Sequence, residues 1–168
     1  MKNIVLIGMP ACGKSTIGVL LAKSLNLNFI DTDLIIQQKY NKLLSEIIQI
    51  DGITGFIEKE SNAIRSINCI DSFCISTGGS AVFSDIAMQH LQKNGIIIYI
   101  KVDFKEIQER ISDIKTRGVV LEESKTLYDS YLERTPLYEK YANITINANN
   151  KTVEEIVYEI SSVIQSIQ

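Results

Sequence analysis

The stretch Gly8-Met9-Pro10-Ala11-Cys12-Gly13-Lys14-Ser15-Thr16 stands directly behind the apolar run Asn3 to Ile7. Glycines at the two ends of so short a loop let successive backbone N–H groups turn into one concavity, which is what a phosphate chain requires. A helix opening at Lys14 adds the positive end of its dipole. Lys14 then reaches the terminal phosphates, and the Ser15 hydroxyl is a ligand for a magnesium ion bridging them. Gly8, Ala11, Cys12, Gly13, Lys14, Ser15 and Thr16 are accordingly the expected nucleotide-binding residues, and the chemistry is the handling of nucleotide phosphates.

Three further stretches carry side chains that could complete such chemistry. "FIDTD" holds Asp31 and Asp33 two apart, so on an extended segment both carboxylates face one side. One can serve magnesium and the other can take a proton from an attacking hydroxyl. The same pair can equally cap a helix that starts there, and both readings stay open. "ISTGGSA" puts paired glycines at the end of an apolar run, where backbone can approach a ligand closely. Four arginines occur in the chain, and Arg110, Arg117 and Arg134 fall on or beside "KTRGVVLEE", a segment without periodicity that reads as a mobile lid. Arg134 lies within "YLERTPLYEKYA", where Pro136 is expected to end or kink a helix.

These residues need a scaffold that holds strand ends together. Short apolar runs ("NIVLI", "NFI", "FCIST", "GIIIYIKV", "NITIN") alternate with amphipathic stretches throughout, the pattern of a parallel sheet covered on both faces. Val153, Ile156, Ile160, Val163, Ile164 and Ile167 recur at helical spacing and predict a terminal helix on that sheet. At 168 residues the chain is sized for one domain, with 45% hydrophobic and 22% charged residues. A net charge of −3 supplies no basic field for nucleic acid. No apolar run is long enough for a membrane span, so the expectation is a cytoplasmic protein with neither nucleic acid nor membrane as partner. Cys12, Cys69 and Cys74 form no paired CxxC motifs and His90 is the one histidine, which excludes a zinc site and leaves reduced thiols.

Taken together, "GMPACGKSTIG", "FIDTD", Gly55-Phe56 followed by Glu60, "GGSA", Thr116-Arg117 and "ERTPLYEKYA" resemble, in order and spacing, the shikimate kinase family across nearly the whole chain. The resemblance implies an α/β, three-layer P-loop kinase: a five-stranded parallel sheet with helices on both faces, an acceptor-binding helical region and a lid. It implies one domain over 1–168, with the acceptor region at about 33–61 and the lid at about 112–124. The reaction implied is transfer of the ATP γ-phosphate, with Mg2+, to the 3-hydroxyl of shikimate. Carried over by position, Lys14, Asp33 and Arg117 are catalytic, Ser15 and Asp31 serve the metal, and Arg110 lies against adenine. Asp33, Phe56, Ile57, Gly78, Gly79, Ser80 and Arg134 belong to the acceptor site, with Arg134 on the acceptor's carboxylate.

The chain departs from the family pattern at two places in that site. Family members usually carry arginine at the position of Ile57, where it pairs with the shikimate carboxylate, and a third glycine at Ser80. Loss of one arm of a two-arginine clamp costs about 1.5–3 kcal/mol in a dry site. Arg65, two turns further along, is a conceivable substitute. In the lid, Gly118 replaces a proline and raises the entropy of closure. Two alternatives follow: a kinase of the same fold acting on another, non-carboxylate alcohol, and a nucleotide-binding regulatory protein without transfer activity. A monomer is expected, since no apolar stripe stands apart from the core pattern.

Overall fold

The computed structural model describes residues 2–68, 72–112 and 125–167. The expected lid at 112–124 with Arg117 and Gly118 therefore falls, but for Ser112, outside the described residues, as does Cys69.

The apolar runs become five strands, β1 (Asn3–Ile7), β2 (Asn28–Asp31), β3 (Phe73–Ser76), β4 (Gly95–Lys101) and β5 (Ile144–Asn147), all parallel in the order β2-β3-β1-β4-β5. The described helices are α1 (Lys14–Leu25), α2 (Thr32–Tyr40), α3 (Leu44–Arg65), α4 (Asp85–Asn94), α5 (Phe104–Ser112), α6 (Leu127–Tyr141) and α7 (Val153–Ile167), with a 3-10 turn at Ala81–Phe83. They cover both faces of the sheet, α1 packing beside α7, and α4 and α6 lying over β4.

Register is what matters for function. Leu6 of β1 pairs with Ser76 of β3, which pairs with Asp31 of β2, so three strand ends finish in one row. β1, buried along its whole length, lies where the strand order reverses, and the crevice beyond such a point is where open parallel sheets take ligands. The strand pattern of the sequence arises because β1 and most of β4 have no wet face to encode. Terminal helix α7 buries Ile156, Ile160 and Ile164 as its spacing requires.

Two helices are irregular, the first against expectation and the second within it. The helical stretch after β2 is bent within α3 at Gly52, whose φ of 68° a side chain would resist. Ile36, Ile47, Phe56 and Ala63 then close a second small core that clamps α2 to α3. Pro136 does not end a helix, because α6 runs through it to Tyr141. The bond that its missing N–H forfeits would have gone to the carbonyl of Leu132, a residue on the exposed side of the helix. Among the described residues no helix is long and apolar enough to cross a membrane. Burial pushes the Cys74 thiol up to about 12, which makes it packing rather than chemistry.

Candidate active site

The row of strand ends opens into a cavity of about 320 Å³. Of the residues expected from the sequence, Ala11, Gly13, Lys14, Ser15, Thr16, Asp31, Asp33, Phe56, Gly78, Gly79, Ser80 and Arg134 all line it. Gly8, Cys12, Ile57 and Arg110 stand outside the lining. Residues that the sequence reading did not single out as site members complete the wall, among them Pro10, Leu34, Gln37, Leu44, Glu60 and Thr77.

The phosphate loop is built as an anion cradle. Gly13, at φ 94°, precedes α1 without a side-chain cap, and no acidic residue sits in the first turn, so the opening N–H groups remain for a ligand. Cys12 N–H closes the loop onto Met9 O at 3.2 Å. Lys14, 7% exposed, donates from Nζ to Gly8 O at 2.8 Å and Met9 O at 2.9 Å, and reaches Cys12 Sγ at 3.6 Å. Gly8 and Cys12 thus shape the loop from beneath. From α5, Arg110 donates to Ala11 O at 3.4 Å and pairs with Glu106 one turn back, which sets it against the outer edge of the same loop.

The aspartate pair caps a helix and also faces the cavity. Asp31 ends β2 and caps α2, its Oδ1 accepting from Asp33 N–H at 3.0 Å, while both residues line the cavity. Between them Thr32 is fully buried, and its hydroxyl accepts from Gly78 N–H at 3.1 Å. That bond ties the aspartate corner to the glycine corner. Thr77 pins the same loop to β1 by donating its hydroxyl to Leu6 O at 3.0 Å. Tyr138 donates to Gly79 O at 2.6 Å and stacks on Tyr99 with centroids 5.1 Å apart. Both phenols are pushed up by burial and act as fixed donors or packing surfaces. Thr32, Thr77 and Tyr138 lie inside the stretches "FIDTD", "ISTGGSA" and "YLERTPLYEKYA", but nothing in those stretches marked them as the residues that hold the glycine loop.

Glycine at 78 is a matter of space. A Cβ there would fall on Glu60 Oε1 and lie 2.8 Å from Asp33 Oδ1, so the two carboxyl groups meet over the bare Cα. A Cβ on Gly79 would come within 2.7 Å of Pro10 and 3.2 Å of Arg134 Nη1. Arg134 itself is 2% exposed and lies 5.3 Å from the centre of the Phe83 ring. Glu60, 1% exposed, accepts from the Ser80 hydroxyl at 2.5 Å. Burial foremost, with Asp33 adding to it, pushes Glu60 up to about 8 despite the opposing Ser80 bond and the charges of Arg134 and Lys14. Ile57 is half-buried outside the wall, and Arg65 is exposed, with no place in the cavity.

Among the described residues no cluster of three or more acidic, histidine or cysteine side chains could hold a metal by itself. One carboxylate and one hydroxyl, Asp31 and Ser15, nevertheless line the same cavity. That donor set fits magnesium, which keeps waters and shares phosphate oxygens instead of filling a protein cage.

Comparison with known proteins agrees with this architecture. The family model described as "Shikimate kinase" matches residues 10–165. A shikimate kinase of Clostridium botulinum (strain Eklund 17B / Type B) is 39% identical over 165 residues, 98% of either chain. One from Alkaliphilus oremlandii (strain OhILAs) is 36% identical over 95% of this chain and 97% of its own. Among solved structures, the shikimate kinase from Acinetobacter baumannii in complex with shikimate superposes with a TM-score of 0.92 at 27% identity, covering 100% of this chain and 95% of that one. The enzyme from Aquifex aeolicus gives 0.83 at 29% identity, over 97% and 96%. With sheet order, phosphate loop and sequence in accord over nearly its full length, this chain belongs to the shikimate kinase family, whose members are ATP-dependent phosphotransferases with an alcohol acceptor.

Proposed function

We propose that this kinase transfers the γ-phosphoryl group of ATP to the 3-hydroxyl of shikimate, with Mg2+, as a single domain over 1–168. The observation that carries the reading is that one cavity joins the phosphate loop to Asp33 and Arg134. Lys14 leaves its carbonyl partners in the loop to meet the terminal phosphates, and the N–H groups opening α1 hold the rest of the chain. Asp33 sits at the wall where the acceptor hydroxyl must lie and takes its proton as the hydroxyl oxygen attacks phosphorus in line; the bridging oxygen leaves with ADP. Ser15 and Asp31 hold Mg2+, which neutralises charge on the phosphates when bound. Arg134 meets the acceptor's carboxylate, with Gly78, Gly79, Ser80 and Phe56 shaping the space around the ring. In this reading 33–61 binds the acceptor, 112–124 closes as a lid bringing Arg117 to the phosphates, and Arg110 supports the adenine side. The enzyme acts as a monomer in the cytoplasm.

Catalysis of phosphoryl transfer is mainly positioning and charge neutralisation, so removing the proton acceptor should abolish turnover without abolishing binding. The test is ADP release with MgATP as shikimate is varied, for the wild type and Asp33→Asn. Saturable, shikimate-dependent release that Asp33→Asn loses supports the reading. Normal binding of an ATP analogue with no shikimate-dependent release assigns the phosphate to another alcohol.

A further inference from the structure

Among the described residues, Glu60 is the one ionisable group in the cavity wall that the transfer reaction does not use. It sits on α3 with Phe56, Ile57, Ala63 and Ile64 at the positions three and four residues away, the only helical neighbours that could touch it, and all four are apolar. Its hydrogen-bond partner lies across the cavity instead: Ser80, whose hydroxyl holds Oε2 at 2.5 Å. Oε1 is buried without a hydrogen-bond partner among the described residues, yet it lies at the point over Gly78 that Asp33 Oδ1 also approaches.

A lone carboxylate in that position is unfavourable twice over. It is removed from water with one hydrogen bond, and it faces a second carboxylate. Charged groups face it from three elements, Asp33 from α2, Arg134 from α6 and Lys14 from α1. If Glu60 were ionised, the wall would hold Asp31, Asp33 and Glu60 against Lys14 and Arg134, a negative balance where an anionic acceptor must enter. With Glu60 uncharged, acids and bases are equal in number.

Resting on the reading that the acceptor is the carboxylate shikimate, we propose that Glu60 is a positioning residue for acceptor specificity that works as an uncharged carboxylic acid: Ser80 holds Oε2, and the proton stays on Oε1 beside Asp33. Ile57 and Ser80 are then matched replacements. Without arginine at 57, one helical turn before it, Glu60 has no cation three or four residues away on its own helix, and the hydroxyl at 80 holds Oε2 in place while burial keeps the acid neutral, so that it does not oppose the charge that Arg134 offers the acceptor. Binding of the acceptor's carboxylate and ionisation of Glu60 oppose each other by linkage, so the acceptor is released as Glu60 loses its proton. The direction is consistent with the burial that already holds this carboxyl protonated at neutral pH.

Two measurements on the full chain test this. Carbon-13 NMR of labelled glutamate side chains, with the Glu60 Cδ signal assigned by its absence from Glu60→Gln, should show it titrating above about pH 7, and further upward in Ser80→Ala. Titration in the ordinary carboxylate range overturns the proposal whatever the acceptor. At saturating MgATP, KM for shikimate should rise about tenfold between about pH 7 and about pH 9.5, with kcat changing less than about twofold. In Glu60→Gln, which cannot ionise, KM should stay level across that range, and in Glu60→Ala it should be raised at every pH. A level wild-type KM, or a rise that persists in Glu60→Gln, overturns the role in specificity. Absence of shikimate turnover at every pH, with the NMR titration as expected, is instead the failure of the proposed acceptor, and removes the specificity role with it.

Discussion

Asp31 caps the helix that carries Asp33: its Oδ1 accepts the Asp33 backbone N–H at 3.0 Å, at the junction of β2 and α2. The residue proposed for magnesium therefore also sets the direction in which the proposed proton acceptor, Asp33, enters the cavity. Asparagine caps as well as aspartate but brings no charge to a metal. Asp31→Asn is expected to keep the wild-type melting temperature while raising the Mg2+ concentration needed for half-maximal rate. Asp31→Ala should also lose about 1 kcal/mol of stability. Thermal unfolding of both variants, with a magnesium titration of the rate, checks this; equal destabilisation of the two would show that the cap contributes nothing.

Gly78 leaves room for two carboxyl groups. Gly78→Ala drives its methyl onto Glu60 Oε1 and within 2.8 Å of Asp33 Oδ1. The variant should lose about 1–3 kcal/mol through overpacking. Its kcat should fall more than its affinity for ATP, because the displaced groups are Glu60 and Asp33 and not the phosphate loop. Denaturant unfolding and nucleotide titration separate the two effects, and a fall in ATP affinity matching the fall in kcat would count against this division.

The carbonyl of Gly79 is held by Tyr138 across 59 residues of chain. Tyr138→Phe keeps the ring and its stack on Tyr99 but removes the donor. A buried carbonyl left without its partner costs about 1–3 kcal/mol. The expected readout is a lower melting temperature together with a raised KM for shikimate, while KM for ATP is unchanged. An unchanged KM for shikimate would mean that the glycine loop holds its place without the tyrosine.

The Glu60 carboxyl also predicts how stability depends on pH. Below its ordinary value of 4.5 it is protonated folded or unfolded. Between 4.5 and about 8 the unfolded chain releases that proton and the folded chain retains it. Stability of the wild type relative to Glu60→Gln should therefore fall with rising pH, by up to about 1.4 kcal/mol per pH unit, and level off above the upper value. Urea unfolding of both proteins in acidic, neutral and alkaline buffer gives the difference, and a difference that does not widen from acid to neutral pH would show the buried group already ionised.

Much of this was legible from local pattern. A phosphate loop works through backbone geometry over a few consecutive residues, so Gly8 to Thr16 announce it without reference to anything distant. β1 and α7 likewise declare themselves, because burial on two faces or on one stripe leaves a period in the sequence. Asp31 and Asp33 could be located but not divided between capping and chemistry, since the same spacing satisfies both.

Tertiary structure alone determined the rest, for one physical reason: it depends on which distant groups share a low-dielectric space. Nothing near Glu60 in sequence says that Ser80 and Asp33 will enclose it, yet these neighbours and its burial set its charge. Thr32 and Tyr138 hold the glycine loop through bonds spanning 46 and 59 residues, which no periodicity encodes. Pro136 stays within α6 because Leu132 lies on the exposed side, and Ile57, for all its place in the motif, turns out of the wall that Phe56 and Glu60 line. Sequence by itself determined that a nucleotide phosphate is held and where the strands that frame its cavity run; packing across the sheet ends determined which side chains share that cavity.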